Sequence, residues 1–331
     1  MPKYRRIVLA SRPSGPVTPE NFRLETIDTP AVADGQFLVR NHYLSLDPYM
    51  RGRMNESRSY AAAQPLNETM VGGTAGEVVE SRHPKFAVGD QVVAYLGWQE
   101  YGLSDGTGVY KADTTHLPLS AYLGPVGMPG VTAWYGLNRI IAAKAGDTVV
   151  VSAASGAVGS VVGQLARIAG CRAIGIAGGA EKCAYVTGEL GFDACIDYKH
   201  EDVAKSLKAL APDGVDGYFE NVGGEIFNAV LPRMNAFGRI ALCGMIAGYD
   251  GQPTPITNPT WFLISRLKLE GFIITEHMDV WPVALRELGG LVARGKLRYR
   301  ETIAQGLENA PAAFIGLLKG QNFGKQLVKL L

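Results

Sequence analysis

The sequence predicts an α/β protein that combines a doubly wound sheet of six parallel strands, a Rossmann fold, with a β-rich partial barrel. Two changes of pattern along the chain carry this prediction. Up to about Gly124, short strand-like runs are separated by Gly, Pro, Asn and Asp, as in antiparallel β structure. After Gly124, strands alternate with helical patterns, as in a doubly wound sheet. We therefore expect a β-rich domain at residues 1–125, the Rossmann domain at residues 126–297, and a tail at residues 298–331 that returns to the first domain.

The individual elements follow from strand and helix periodicity. In the first part, short apolar-rich runs bounded by turn residues predict strands at Arg6–Leu9, Phe37–Leu44, Gly76–Glu80 and Gln91–Leu96. In the second part, strands are predicted at Val149–Val151, Cys171–Ala177, Ala194–Tyr198, Gly217–Glu220, Arg239–Cys243 and Leu269–Thr275, with helices at Val161–Ala169 and Asp202–Leu210. The β-branched run of the first of these six strands indicates burial on both faces of the sheet.

The bulk composition is that of a soluble globular protein and argues against several classes of partner. The chain has 331 residues, of which 47% are hydrophobic and 19% charged, enough for a large core. Its net charge of +1 provides no basic surface for nucleic acid or an anionic membrane. No apolar run approaches membrane-spanning length, and the first ten residues are too short and too charged for a signal peptide. The four cysteines form no C-x-x-C motif, so we expect reduced thiols in a cytoplasmic protein.

A glycine-containing turn between the first strand and the first helix of the second part predicts a dinucleotide site. Backbone N–H groups at a helix N-terminus bind a pyrophosphate when small residues let it approach. Gly156 is expected to admit the phosphate and Gly159 to allow close helix–strand packing, with Ala157 and Val158 between them. Ala154 replaces the first glycine of the usual fingerprint, so an ordinary strand-to-helix turn is the alternative.

The residues after the next strand favour NADPH over NADH. NAD-binding units usually carry an Asp or Glu at the end of this strand to hold the ribose hydroxyls. Here Ala177 and Gly178 occupy that place, and Lys182 follows at the start of the next helix. A cation at a helix N-terminus opposes the helix dipole, and a bound 2′-phosphate would give it a reason to be there. A solvated lysine beside Glu181 is the alternative.

Further motifs, in a fixed order along the chain, make the sequence similar to a known family. They are Leu46–Met54 (LDPYMRGRM), Gly89-Asp90, Trp98–Tyr101 (WQEY), Gly127–Ala133 (GMPGVTA), Glu220–Gly224 (ENVGG), Cys243–Tyr249 and Gly320–Lys325 (GQNFGK). Together they resemble the medium-chain dehydrogenase/reductase superfamily, and within it the zinc-free branch of leukotriene and prostaglandin reductases, curcumin reductases and alkenal double-bond reductases. The resemblance covers essentially the whole chain. It implies a GroES-like partial barrel as the substrate and catalytic domain, with an NADP-binding Rossmann domain.

The resemblance also implies a set of residues near NADPH. These are Gly156–Gly159, Lys182, Tyr198, Asn221, Cys243–Tyr249, Phe272, Ile273, Ile274, Asn322, Met128 and Thr132. The residues themselves agree in part, because Tyr198, Asn221 and Cys243 follow or end predicted strands, where open α/β sheets bind ligands. Structural alternatives stand beside them: a strand-end tyrosine, turn-forming asparagines, a packing thiol, and core positions for Met128 and Thr132.

The same alignment implies chemistry without a metal. Zinc-dependent members of the superfamily carry a catalytic Cys and a Gly-His-Glu, and Leu44 and Gly72-Gly73-Thr74 stand at those positions here. Neither leucine nor glycine can ligate zinc, and the five histidines show no metal-binding spacing. No nucleophile elbow supports hydrolysis. The chemistry would then belong to the cofactor, which the protein binds, orients and polarises.

The reaction that the resemblance implies is reduction of the carbon–carbon double bond of α,β-unsaturated ketones or aldehydes by NADPH. Hydride goes to the β-carbon and a proton to the α-carbon, so the developing enolate needs hydrogen-bond donors and an acid. Similar reductases place a tyrosine shortly before the sixth strand, but Ile264 stands there and has no proton to give. Tyr49 is our candidate acid, with a structural tyrosine beside a proline as the alternative, and Tyr249 is the second candidate.

Two other functions are compatible with these motifs. One is an NADPH quinone oxidoreductase, which shares the zinc-free layout, and the other is a catalytically idle NADPH-binding protein. We expect a small enone or enal substrate as partner, with neither nucleic acid nor membrane. We also expect a homodimer, because Leu267–Thr275 predicts an apolar edge strand that can pair with its own copy.

Overall fold

The computed structural model describes residues 3–330, which form two compact units. The first unit comprises the described residues up to Leu123, Glu301–Asn322, and the described residues from Gln326 onwards. The second unit comprises Gly124–Arg300 and Phe323–Lys325. The first unit is thus assembled from both ends of the chain.

The first unit is built mainly from antiparallel strands. Numbered along the chain, its elements before the second unit are β1 (Lys3–Leu9), β2 (Phe22–Asp28), β3 (Phe37–Ser45), the short helix α1 (Tyr49–Arg53), β4 (Thr74–Ser81), β5 (Gln91–Ala94), β6 (Tyr101–Ser104) and β7 (Tyr110–Lys111). Strands β1 and β2 form a two-stranded sheet, while β3 pairs with β4 and β6, and β5 pairs with β4 and β7. A separate antiparallel sheet domain is therefore confirmed.

The four strands predicted for this unit are all present, but β1, β3 and β4 are longer than predicted and β5 is shorter. The strand expected to run to Leu96 stops at Ala94, because Ala94 pairs with Thr74, the first residue of β4, and no partner continues beyond it. Strands β2, β6 and β7 were not predicted. In β2, only Phe22 of the seven residues is buried, so its apolar pattern is too weak to mark a strand.

The second unit contains the parallel sheet. Its strands are β8 (Thr148–Ser152), β9 (Arg172–Ala177), β10 (Ala194–Asp197), β11 (Val215–Glu220), β12 (Met234–Leu242) and β13 (Lys268–Gly271). Its helices are α2 (Met128–Tyr135), α3 (Gly159–Ile168), α4 (Ala180–Gly188), α5 (Val203–Leu210), α6 (Gly224–Val230), α7 (Thr260–Ile264) and α8 (Trp281–Ala293). The strand order is β10-β9-β8-β11-β12-β13 and every pairing is parallel, which confirms the six-stranded doubly wound sheet.

Alternate residues of the central strand β8 serve two different cores. Val149 and Val151 pack in one cluster with Val162 of α3 and residues of α2 and α8. Val150 points to the opposite face, into a cluster that contains Leu207 of α5 and residues of α6. All three valines are fully buried. Helices on both faces explain why this strand is a continuous β-branched run without polar alternation.

The sixth strand is shorter and more polar than predicted. We expected Leu269–Thr275, but β13 ends at Gly271, which pairs with Leu242, the last residue of β12. No strand remains to pair with the residues that follow, so the chain turns into a 3₁₀ helix at Ile274–Glu276. Strand β12 likewise ends one residue before Cys243. Within β13, Lys268 and Glu270 form a 2.6 Å ion pair, so the edge strand is not the apolar segment we expected.

The last described elements of the chain belong to the first unit: two strands join its sheet, and a helix packs against it. These are β14 (Glu301–Gln305), α9 (Ala310–Leu318) and β15 (Lys325–Lys329), and β15 pairs with β3. Phe314 of α9 packs edge-on against the buried ring of Trp98, with ring centroids 5.7 Å apart. Within residues 3–330, no helix combines the length and the apolarity needed to cross a membrane.

Candidate functional site

The turn between β8 and α3 is held tightly by one of its two predicted glycines. A Cβ at Gly159 would lie 2.4 Å from the carbonyl oxygen of Ala153 and 3.0 Å from the Cα of Ala154, so only glycine fits. A Cβ at Gly156 would meet only one atom within 4 Å, the same carbonyl oxygen at 3.1 Å. Gly159 thus has the close helix–strand packing that its position predicts, while the backbone at Gly156 is open to a ligand.

This turn leaves a hydrogen-bond donor at the start of α3. In the part of the chain that the structure describes, the N–H of Val158 donates to no other group, whereas the N–H of Ala157 faces the carbonyl of Gly324 across the β-bridge between Gly156 and Gly324. The positive end of the helix dipole lies at the same place, which favours a negative group. Gly324 closes the other side of the turn, since its N–H donates to the carbonyl of Ser155 at 2.9 Å. The turn therefore combines an available N–H donor with the positive end of a helix dipole, as a pyrophosphate site does.

A pair of lysines marks the carboxyl end of the neighbouring strand β9. Lys182, in the first turn of α4, and Lys199, after β10, are near enough that the charge of Lys199 contributes to the shift of the Lys182 pKa. Burial is the larger cause, and together they lower the pKa of Lys182. The ring of Tyr198 and the stem of Lys199 both lie against Gly178, where a Cβ would approach them to within 3.0 Å. A 2′-phosphate would relieve the repulsion between these cations.

Sequence reasoning identified Lys182 and Tyr198 but missed Lys199. Its position directly after Tyr198 was the available signal, because both residues follow the same strand end. The ammonium of Lys182 also lies 5.4 Å from the centroid of the Phe323 ring, which contributes a cation–π contact from the returning segment. The candidate phosphate pocket thus draws on residues from several elements of the second unit.

Asn221 joins the ends of the two central strands, β8 and β11. Its backbone N–H donates to Oγ of Ser152 at 2.7 Å, and its side-chain Nδ2 donates to the carbonyl of Ser152 at 2.8 Å. This point is where the strand order of the sheet reverses, the usual binding crevice of such folds. The side chain is thus more than a turn former, because it fixes the edge on which we predicted cofactor contacts.

The carboxyl end of β11 also contains a fully buried acid, Glu220. Its carboxylate accepts hydrogen bonds from the N–H groups of Val222 and Gly223, and its carbonyl accepts one from the N–H of Cys243 at 2.9 Å. Burial raises the pKa of Glu220 to about 7. Burial, followed by the charge of Glu220, raises the pKa of the Cys243 thiol to about 12. Cys243 is therefore a protonated packing thiol at neutral pH, not a nucleophile.

The segment from Cys243 to Tyr249 follows β12 along the same sheet edge. Its backbone forms a 3₁₀ helix at Ile246–Gly248, and the Tyr249 hydroxyl lies beside Gly244, where a Cβ would be 3.3 Å from it. This segment is partly exposed.

Five further predicted residues lie where packing limits what their side chains can do. Ile274 is buried in the core and its carbonyl accepts from Trp281, while Phe272 packs against Tyr135, and Ile273 between them is partly buried. The Thr132 hydroxyl donates to the carbonyl of Met128 at 2.7 Å within α2. The core alternative thus describes the side chains of Ile274 and Thr132, and leaves mainly backbone atoms of the 272–274 segment for a cofactor.

Two predicted site residues, Tyr49 and Asn322, belong to the first unit. Asn322 is partly buried near the end of the returning segment. Tyr49 begins α1, and its hydroxyl lies 2.5 Å from that of Tyr95, a residue that sequence reasoning missed. Burial, then the charge of Asp47, raises the pKa of Tyr49 well above its usual value, so the phenol keeps its proton at neutral pH. Nothing in the sequence pairs these two tyrosines, since 46 positions separate them.

The positions at which zinc-dependent relatives carry metal ligands have no ligating side chain here. Leu44 is fully buried in β3. Gly73, which stands at the place of the histidine, has room for a side chain, since an added Cβ would meet only Leu123 and Ser45, each at 3.8 Å. Residues 3–330 contain no group of three or more His, Cys, Asp or Glu side chains placed to hold a metal.

Comparison with known proteins covers most of the chain. The family model described as the N-terminal domain of oxidoreductase matches residues 5–112, and the one described as zinc-binding dehydrogenase matches residues 157–289. The chain is 48% identical to the NADPH-dependent curcumin reductase of Escherichia coli, over 99% of this chain and 97% of that protein. It is 43% identical to the NADP(+)-dependent 2-alkenal reductase of Nicotiana tabacum, over 88% and 86% respectively.

A solved structure gives the same result in three dimensions. The crystal structure of CurA from Vibrio vulnificus in complex with NADPH matches with a TM-score of 0.94 and 49% identity, and covers 99% of each chain. The sheet order, the glycine turn and the lysine pair therefore belong to a chain that is similar throughout to a protein crystallised with NADPH.

The lysine pair predicts how the chain selects its cofactor. Lys182→Glu should raise the KM for NADPH at least about tenfold, because a charge-assisted contact to the 2′-phosphate is replaced by repulsion. The KM for NADH, which lacks this phosphate, should change little. Steady-state kinetics with both cofactors measures the difference, and Lys205→Glu on the exposed side of α5 is the matched charge reversal. Equal effects of Lys182→Glu on both cofactors would contradict the assignment.

Proposed function

The chain belongs to the medium-chain dehydrogenase/reductase superfamily, in the branch of curcumin, prostaglandin and alkenal reductases, and on this premise we propose that it reduces enones and enals with NADPH. The observation that carries the proposal is the match over 99% of the chain to an NADPH-dependent curcumin reductase. The glycine turn, with its donor at Val158, and the lysine pair at the end of β9 support the same cofactor. The bond reduced is the carbon–carbon double bond conjugated to a carbonyl group.

When bound, NADPH supplies the hydride that is added to the β-carbon. The residues of the second unit have the task of holding the dinucleotide: the α3 turn for the pyrophosphate, and Lys182, Lys199 and Tyr198 for the 2′-phosphate. Asn221 and the segment from Cys243 to Tyr249 line the strand ends, where the nicotinamide half is expected. The residues at the 2′-phosphate thus select NADPH over NADH, and the residues at the strand ends orient the nicotinamide.

We assign the first unit, with its returning segment, the role of substrate and catalytic domain. Tyr49 is the proposed proton donor for the α-carbon, because burial keeps its phenol protonated and Tyr95 holds its oxygen in place. A phenol is a much stronger acid than the α-carbon of a saturated ketone, so a raised pKa does not prevent the transfer. Tyr249, beside Gly244, is the second candidate. No metal is needed for this step.

Product analysis with a panel of substrates tests the proposed reaction. The chelator-treated protein is incubated with NADPH and with an enone, an enal and a quinone, and the products are identified by mass and by NMR. We expect saturated ketones and aldehydes in which the β-carbon has gained a hydrogen from NADPH. Turnover of the quinone alone would favour an NADPH quinone oxidoreductase, and NADPH binding without any turnover would favour an idle binding protein. Loss of activity on chelation, restored by zinc alone, would contradict metal-free chemistry.

The proposed acid makes its own prediction. Tyr49→Phe should lower kcat on a good enone at least about tenfold, since a positioned acid contributes typically 10²–10⁴-fold, while the Kd for NADPH stays unchanged. The matched control is Tyr122→Phe, which removes a phenol hydroxyl of the same unit that donates to the Asp113 carbonyl at 2.5 Å. Wild-type kcat in Tyr49→Phe would exclude Tyr49 as the acid and leave water as the proton source.

We further propose a homodimer that forms through the outer edge of β13. In the described part of the chain this strand pairs only with β12, so its other edge offers backbone groups to a second copy. Similar reductases are commonly dimers. Light scattering at micromolar concentration should give twice the chain mass, and the mass of a single chain would contradict the proposal.

A cytoplasmic location is proposed from the four free cysteines, and recovery of the protein from a secreted fraction would contradict it.

A further inference from the structure

A carboxyl group without a role in the proposed reaction lies beneath the turn that follows β11. Glu220 is the last residue of β11, and its side chain is fully buried. Its Oε1 accepts hydrogen bonds from the N–H groups of both Val222 and Gly223. Its Oε2 is also buried and has no hydrogen-bond partner among residues 3–330. An ionised carboxylate here would leave one charged oxygen unsolvated, whereas the protonated acid would leave only a neutral hydroxyl.

The groups packed around this carboxyl are neutral. Burial raises the pKa of Glu220 to about 7, and it outweighs the N–H groups of the turn and the nearby Ser152 hydroxyl at the end of β8, which lower it. Cys243, at the end of β12, is the titratable neighbour, and its thiol stays protonated because its own pKa is raised to about 12. No charged side chain contributes to the shift of Glu220. Both protonation states of this acid are therefore accessible near neutral pH.

The turn above Glu220 is part of the proposed cofactor site. It carries Asn221, whose two hydrogen bonds to Ser152 join the central strands, and it continues into the first turn of α6 at Gly224. Gly223 has a left-handed φ of 79°, so the turn depends on the hydrogen bonds that hold it in this conformation. Oε1 of Glu220 supplies two of them. A dinucleotide placed on this edge would bring negative phosphates and exclude water, and both effects disfavour an ionised carboxylate below.

We propose that protonated Glu220 is a positioning residue for the 221–224 turn, and that the binding of NADPH takes up a proton at this carboxyl group. The inference rests on the proposed function, because it requires NADPH at this edge of the sheet. The proton comes from solvent water, and no bond of the cofactor changes. Since binding favours the protonated acid, the pKa of Glu220 is higher in the complex than in the free protein. The affinity for NADPH must then fall as the pH rises through the pKa of the free protein.

Calorimetry of the full-length protein measures this proton directly. NADPH is titrated into the protein at pH 8 in buffers of different ionisation enthalpy. At this pH the 2′-phosphate is already fully ionised and takes up no proton. We expect an uptake of roughly half a proton or more per NADPH, and a Kd about three- to fivefold weaker at pH 8 than at pH 7. Lys182, whose pKa is lowered by burial, also gains a proton on meeting a phosphate, so the uptake is assigned to Glu220 by difference.

The variant Glu220→Gln provides that difference. Its amide oxygen still accepts from the turn N–H groups, but the side chain cannot titrate, so the uptake assigned to Glu220 and the pH dependence should disappear while binding at pH 7 is retained. Glu225→Gln, an exposed acid at the start of α6, is the matched control and should keep both. Proton uptake in Glu220→Gln equal to that of the wild type overturns the inference.

A second measurement needs no variant and covers the case in which Glu220→Gln does not fold. The infrared difference spectrum of the wild-type protein on addition of NADPH at pH 8 should gain the C=O band of a protonated carboxyl group. NADPH binding without this band and without proton uptake overturns the inference and leaves the proposed reductase function intact. Absence of any NADPH binding overturns both, so the two failures are distinguishable.

Discussion

The nucleotide half of this protein depends on how closely helix α3 approaches the end of β8. At Gly159 the distance from an added Cβ to the Ala153 carbonyl oxygen would be only 2.4 Å, which excludes every residue but glycine. Ala153 itself has a left-handed φ of 49°, a conformation that L residues avoid by roughly 1–2 kcal/mol. The turn keeps this strained residue and leaves the N–H of Val158, together with the positive end of the helix dipole, at the end of the strand.

The same strand end organises the polar groups next to it. Ser152 is fully buried, yet its hydroxyl and carbonyl both accept from Asn221, so the end of β8 is tied to the end of β11. Glu220 lies immediately before this bridge and holds the turn that follows it. Buried polar groups destabilise a fold unless their hydrogen bonds are satisfied, and here most are satisfied by one another. The exception, Oε2 of Glu220, therefore points to a protonated acid.

The fold could be predicted where the pattern of one segment determines its partners. The run Val149–Val151 predicts a strand buried on both faces, and helices on both faces are what the structure shows. The prediction failed where pairing decides the outcome. The apolar residues Phe272–Ile274 continue the pattern of β13, but β12 has already ended and cannot pair with them. In β2 and β6, pairing alone forms strands that composition does not mark.

The candidate site divides in the same way. The positions of the glycine turn and of Lys182 could be predicted because each is recognisable within one short stretch of sequence. Lys199 and Tyr95 were missed because only the fold brings them beside Lys182 and Tyr49. Tyr49 shows why this matters for mechanism. A motif can place a tyrosine, but the properties of its phenol come from burial, from the charge of Asp47 and from the 2.5 Å contact with Tyr95. Burial, the charge of Asp47 and the contact with Tyr95 all raise the pKa of this phenol, and only the folded first unit brings these groups together.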